Sequence, residues 1–182
     1  MLISAGTTIT GIIRPDSLVS VTCNSKKFSF NDIVFNDLEV KATYGDSLFN
    51  ATITSKIFNL SGLSDLKDLK LNLSFIPDHF DLGLLWDNKE KVVNKGSFNA
   101  TGDFRKSSGT AGLAVLTVNI LPGEIVNRNN QWKLNPAIVT VDSNAVKISR
   151  FSISSNENYF LLDGAVSDNT TDTLYMKFNG ID

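Results

Sequence analysis

The residues able to do chemistry are few. His79 is the only histidine and Cys23 the only cysteine of the 182-residue chain. A zinc site of several histidines, or of Cys and His at the usual ligand count, cannot be assembled from one of each. Nucleophile and base need only meet in space, so a Cys23–His79 dyad, or His79 with a serine, is formally open. No G-x-S-x-G elbow accompanies either. Cys23 alternates with Val19 and Val21 and reads as a small buried apolar residue, and Asp78 and Asp81 place His79 in a solvated turn.

The other polar constellations are as sparse. There is no G-x-x-x-x-G-K-[ST] cradle and no G-x-G-x-x-G, so nucleotide use is not expected. Nothing singles out one pair among the 19 acids for glycosidase-type catalysis. Asp163, Asp168, Asn169 and Asp172 gather oxygen ligands of the kind calcium takes, but without EF-hand spacing. They read as a turn whose side chains bond their own backbone. The expectation is therefore no enzyme, no catalytic residue, no cofactor and no metal. Sequons begin at Asn50, Asn59, Asn72, Asn99 and Asn169, and they reflect Asn and Ser richness.

Charge points away from nucleic acid. Lys and Arg number 17 against 19 Asp and Glu, a net charge of −2, and the basic residues are dispersed. Phosphate binding needs a basic face or arm to displace counterions. No apolar run is long enough to span a bilayer as a helix. Residues 1–13 lack the basic and apolar regions of a signal peptide.

The elements that must position any site are strands. Leu38, Val40, Ala42 and Tyr44 alternate with Glu39, Lys41 and Thr43, the pattern of a strand with one wet face. The same period runs through Leu69-Leu71-Leu73-Phe75, Ile148 to Ile153 and Leu174-Met176-Phe178. Residues 113–121 and 137–141 are more continuously apolar, as for strands covered on both faces. Tyr44-Gly45-Asp46, Leu121-Pro122-Gly123 and Asp163-Gly164 read as turns. With 42% hydrophobic and 20% charged residues, the prediction is a single all-β domain over 1–182, an antiparallel β-sandwich of Ig-like or jelly-roll-like kind.

Two stretches break the period. Leu60, Leu63, Leu66 and Leu69 recur every three residues behind Ser64, which predicts a short helix over 62–69. Residues 94–112 hold Gly96, Gly102, Gly109 and Gly112, and this spacing predicts a long loop or loose hairpin anchored by Phe98 and Phe104.

The candidate contact residues follow. Ile3, Ala5, Thr7, Ile9, Gly11 and Ile13 share one face of an extended segment, so residues 1–13 read as a first strand or an arm pairing with a neighbour. This leader resembles the donor segment of chaperone–usher pilins, which implies an adhesive subunit. Ile3, Ile9, Ile13, Phe98, Phe104, Arg105 and Trp132 are the expected interface residues. Trp86 and Trp132, each beside polar residues, could serve as sugar platforms. The expected function is a non-enzymatic structural subunit of a larger assembly, foremost a virion component such as a capsid decoration or tail protein. Its partners would be other structural proteins or copies of itself, without nucleic acid or membrane insertion. The alternative is an extracellular or cell-surface adhesive subunit, or a carbohydrate-binding module with a glycan partner.

Overall fold

A computed structural model describes residues 2–14, 18–60, 65–106 and 114–180. In chain order the strands are β1 (Leu2–Ile3), β2 (Thr8–Ile13), β3 (Val19–Phe30), β4 (Ile33–Gly45), β5 (Leu48–Leu60), β6 (Leu66–Ile76), β7 (His79–Asp87) and β8 (Asn94–Lys106). They continue as β9 (Ala114–Ile120), β10 (Gly123–Asn127), β11 (Asn130–Leu134), β12 (Ala137–Val141), β13 (Ala145–Ser155), β14 (Asn158–Ser167) and β15 (Leu174–Asn179). Every pairing is antiparallel and all fifteen strands belong to one hydrogen-bonded sheet. The all-β antiparallel class expected from the alternation is the class found, with 77% strand and no helix among the described residues.

The topology reduces to a meander. β9 and β10 run one after the other along β8, and β11 and β12 run one after the other along β13. Each of these two long strands is interrupted at a proline, Pro122 and Pro136, which lacks the N–H a ladder needs. Each strand thus pairs with the next in sequence, from β2 at one edge to β15 at the other.

The period-two pattern gives this sheet one apolar face. Row by row, the register aligns Ile13, Val19, Tyr44, Phe49, Phe75 and Phe80, and then Gly102, Val118, Val139, Ile148, Gly164 and Leu174. The residues between them, such as Thr43, Asn50, Ser74, Asp81 and Thr101, point to the other face.

Of the helix expected over 62–69, residues 66–69 lie instead in β6, and 61–64 fall outside the described residues. The cause of the misleading spacing is local. Asp68 has φ 48°, a left-handed conformation that turns the side-chain alternation so that Leu66 and Leu69 fall on one face. Asp37 (φ 49°) acts alike between Phe35 and Leu38, in step with the neighbouring strands and without a register shift, whereas Arg150 (φ 58°) sits where the register does shift, between Ile148 and Phe151. A strand turned in this way reads locally with a period of three. The loop expected over 94–112 is likewise strand through Lys106, and 107–113 lie outside the described residues. Gly96 and Gly102 are strand positions overlaid by aromatic rings. A Cβ at Gly96 would collide with Trp86, and one at Gly102 with Phe80.

Burial is shallow. The accessible surface is 12213 Å² for 19.9 kDa, about 40% above the surface expected of a compact monomer of that mass. The buried hydrophobics are Leu38, Ala51, Leu69, Trp86, Ala100, Ile120, Leu134 and Ala137, and among the described residues no large side chain is fully buried. One cluster, Ile120, Leu134 and Ala137 with Phe98, Val118, Val139, Phe151 and Ile153 against it, fills the junction beside the two prolines. The strands expected to be covered on both faces are covered on neither completely: Ile138 of β12 is 39% exposed on the polar side.

Candidate functional site

The chemistry-bearing residues do not converge. Cys23 sits on β3 between Ile9 and Val40, on the apolar face. His79 starts β7, four strands away, on the polar face, a separation of about 19 Å at 4.8 Å per strand. The dyad is therefore not formed. His79 instead holds two carboxylates, with Nδ1 2.9 Å from Asp103 Oδ1 and Nε2 3.3 Å from Asp81 Oδ1. The hydrogen bond to Asp103 raises its pKa above the ordinary histidine value; burial opposes this, and the hydrogen bond to Asp81 and the charges of both acids add to the rise. The two acids sit on opposite sides of the ring, an ion-pair clamp rather than a shared metal pocket. Among the described residues no group of three or more His, Cys, Asp or Glu is placed to hold a metal ion.

Two acids of the 163–172 segment, Asp163 and Asp172, accept local hydrogen bonds. Asp163 Oδ1 accepts from the N–H of Arg150 at 2.8 Å, steadying the bulge in β13. Asp172 Oδ2 accepts from Ser167 Oγ at 2.6 Å, and Asn169 Oδ1 accepts from Thr171. Trp86 is 7% exposed and its indole N–H donates to Asn94 Oδ1 at 2.9 Å, so it is a core residue and not an open sugar platform.

The predicted contact residues separate into groups. Ile3, Ile9 and Ile13 are exposed on β1 and β2, at one edge of the sheet. Residues 1–13 do not form one strand, because the chain turns at Ala5-Gly6, with Gly6 at φ 79°. Both short strands pair with β3 of the same chain. Phe98 packs on the small core, Phe104 extends the ring series of Phe80, Phe75 and Phe49, and Trp132 pairs with Ile125. Arg105 is exposed and one residue out of step with Phe104, on the polar side.

What the fold does bring together is the apolar face itself, which no single segment of sequence displays. Beside the Tyr44–Phe49–Phe75–Phe80 row runs a row of smaller residues, Gly11, Val21, Ala42 and Ala51, continuing through Leu73, Leu82 and Ala100. A third row, Cys23, Val40, Ile53, Leu71, Leu84 and Phe98, bounds it on the far side. Ala42, Ala51 and Ala100 are the short side chains of the middle row, which makes it a shallow trough interrupted by Leu73 and Leu82, and its floor at Ala51 and Ala100 is buried, 8% and 4% exposed. None of these three rows holds an ionisable carboxylate or amine.

At the lower margin of the face a fourth row alternates Ser25, Leu38, Ser55 and Leu69, all buried. The serines close on themselves: Ser55 Oγ lies 2.8 Å from both Asn36 O and Ile57 O, and Ser25 Oγ donates to Lys27 O at 3.0 Å. They satisfy these carbonyls and leave nothing polar open to the trough. The charges lie across the left-handed positions, with Lys26 Nζ 2.7 Å from Asp37 and Lys89 Nζ 3.0 Å from Asp68. No family model matches the chain, and the comparisons with curated proteins and with solved structures found no match.

Proposed function

We propose that this chain is a non-enzymatic binding module whose apolar sheet face is the working surface, and that it accommodates alkyl chains of the lipid type. The observation that carries the reading is the unsealed face: three adjacent rows across the sheet without a charged side chain, in a chain with about 40% more surface than a compact monomer. Within these rows Val21 and Tyr44 are open to solvent and the other large side chains are half-buried, and apolar surface left open in this way marks interaction surfaces. A protein partner normally brings about one hydrogen bond per 100–200 Å² of interface, and these rows offer little beyond the Tyr44 hydroxyl and the Cys23 thiol to receive them.

Dimensions agree. From Ala42 to Ala100 the trough crosses four inter-strand spacings, about 19 Å at ~4.8 Å each, while half the ~30 Å hydrocarbon core of a bilayer is about 15 Å. An open face covers about half of a chain lying on it. At about 0.8 kcal/mol per buried methylene, a sixteen-carbon chain then gains roughly 6 kcal/mol, an affinity in the tens of micromolar. Titration of the purified chain with a fluorescent fatty acid tests this. Saturable binding that Ala51→Trp or Ala100→Trp weakens at least fivefold supports the reading, and absence of saturable binding refutes it.

A structural subunit of a larger assembly, a virion component foremost, is the second reading. Its support is the pair of open sheet edges at β2 and β15, which suit contact with neighbours. Location in a virion or at a cell surface would follow from that reading alone.

A further inference from the structure

We infer that the sheet continues from one copy of this chain into the next, β15 of one copy pairing antiparallel with β2 of another. Among the described residues both strands have a hydrogen-bonded neighbour on one side only. Both are six residues long. From β2 to β15 the row through Ile13 and Leu174 takes eleven antiparallel steps, an odd number, so the two edge strands run in opposite directions. A copy shifted across the strands therefore presents β2 to β15 in the antiparallel sense that every other pairing of the sheet uses.

The register agrees as well as the direction. Ile13 and Leu174 are the two ends of the same row, so continuing that row sets Leu174 opposite Ile13, Met176 opposite Gly11 and Phe178 opposite Ile9. The apolar face then runs on from copy to copy. On the polar face the same register sets Tyr175 opposite Ile12. These two are exposed by 61% and 51%, large apolar residues out of place on a polar surface, and each would cover the other.

Protection against such pairing is thin. β2, Thr-Ile-Thr-Gly-Ile-Ile, holds no charge and no proline, and β15 holds a single lysine, Lys177. The contact is heterologous, head to tail, so it builds open chains unless accumulated twist closes a ring.

Sedimentation of the full chain over a wide concentration range reads the outcome. The inference predicts a mass that rises with concentration through dimers to longer species. Ile12→Lys with Tyr175→Lys, placing like charges opposite each other on the polar face, should weaken association at least tenfold with the circular dichroism spectrum unchanged. Ile12→Lys with Tyr175→Glu should restore it. A monomer at every concentration, or association indifferent to the lysine pair, overturns the inference. Because none of these substitutions touches the apolar rows, loss of alkyl-chain binding and loss of edge pairing are separable results.

Discussion

Trp86 on β7 lies flat over Gly96 on β8, its indole occupying the space where any side chain at 96 would begin. The same relation holds between Phe80 and Gly102, three same-face rows further along. Both rings bury themselves against bare backbone, which lets a single sheet layer cover part of its own aromatic surface.

Filling those positions should therefore be costly. Gly96→Ala and Gly102→Ala each displace a packed ring and are expected to destabilise the fold by about 1–3 kcal/mol. Urea unfolding followed by tryptophan fluorescence measures it, and Gly96→Ala should also shift the Trp86 emission to longer wavelength. An unchanged midpoint for both variants would contradict the packing described.

Ser55 gives a second test. It is 2% exposed and supplies the proton for two carbonyls, Asn36 O and Ile57 O. Ser55→Ala leaves them unserved and should cost about 1–3 kcal/mol. Ser55→Thr, which keeps the hydroxyl, should recover part of the loss in the same denaturation assay.

Much of the fold is legible in sequence, and the exceptions have local causes. Leu69-Leu71-Leu73-Phe75 and Leu174-Met176-Phe178 show period two because each strand has one apolar face. Asp37, Asp68 and Arg150 break that period with a residue in the left-handed region, and around Asp68 the result imitates a helix. Gly96 and Gly102 look like loop punctuation because the rings that cover them come from another strand. The trough was not legible at all. Ala42, Ala51 and Ala100 fall into one row only through pairings between separate strands.

The clamp on His79 makes stability depend on pH. Bonds to Asp103 and Asp81 favour the imidazolium, so the folded-state pKa lies above the unfolded value of about 6.5. The contribution is fully present below that unfolded value and fades as pH rises through the higher folded one. His79→Gln should flatten this part of the stability profile. The ring is half exposed, so the effect is small, and thermal melts from pH 5 to 9 on both proteins would resolve its sign. A wild-type profile that rises over this window relative to the variant would contradict it.

The left-handed positions can be tested by glycine. Asp68→Gly and Arg150→Gly relieve a backbone conformation that costs an ordinary residue about 1 kcal/mol or more. At Arg150 the N–H bond to Asp163 is kept, so Arg150→Gly should be neutral or stabilising in denaturation. Asp163→Ala, which removes the acceptor, should destabilise.

The most direct measurement is photocrosslinking with a fatty acid carrying a diazirine on its chain, followed by mapping of the adducts by mass spectrometry. Adducts concentrated on Ala51, Leu73, Leu82, Leu84 and Ala100, and suppressed by unlabelled fatty acid, are the predicted result. Adducts spread over the polar face, at Asn50, Asn72 or Thr101, or none that competitor removes, would contradict the assignment of the apolar face as the working surface.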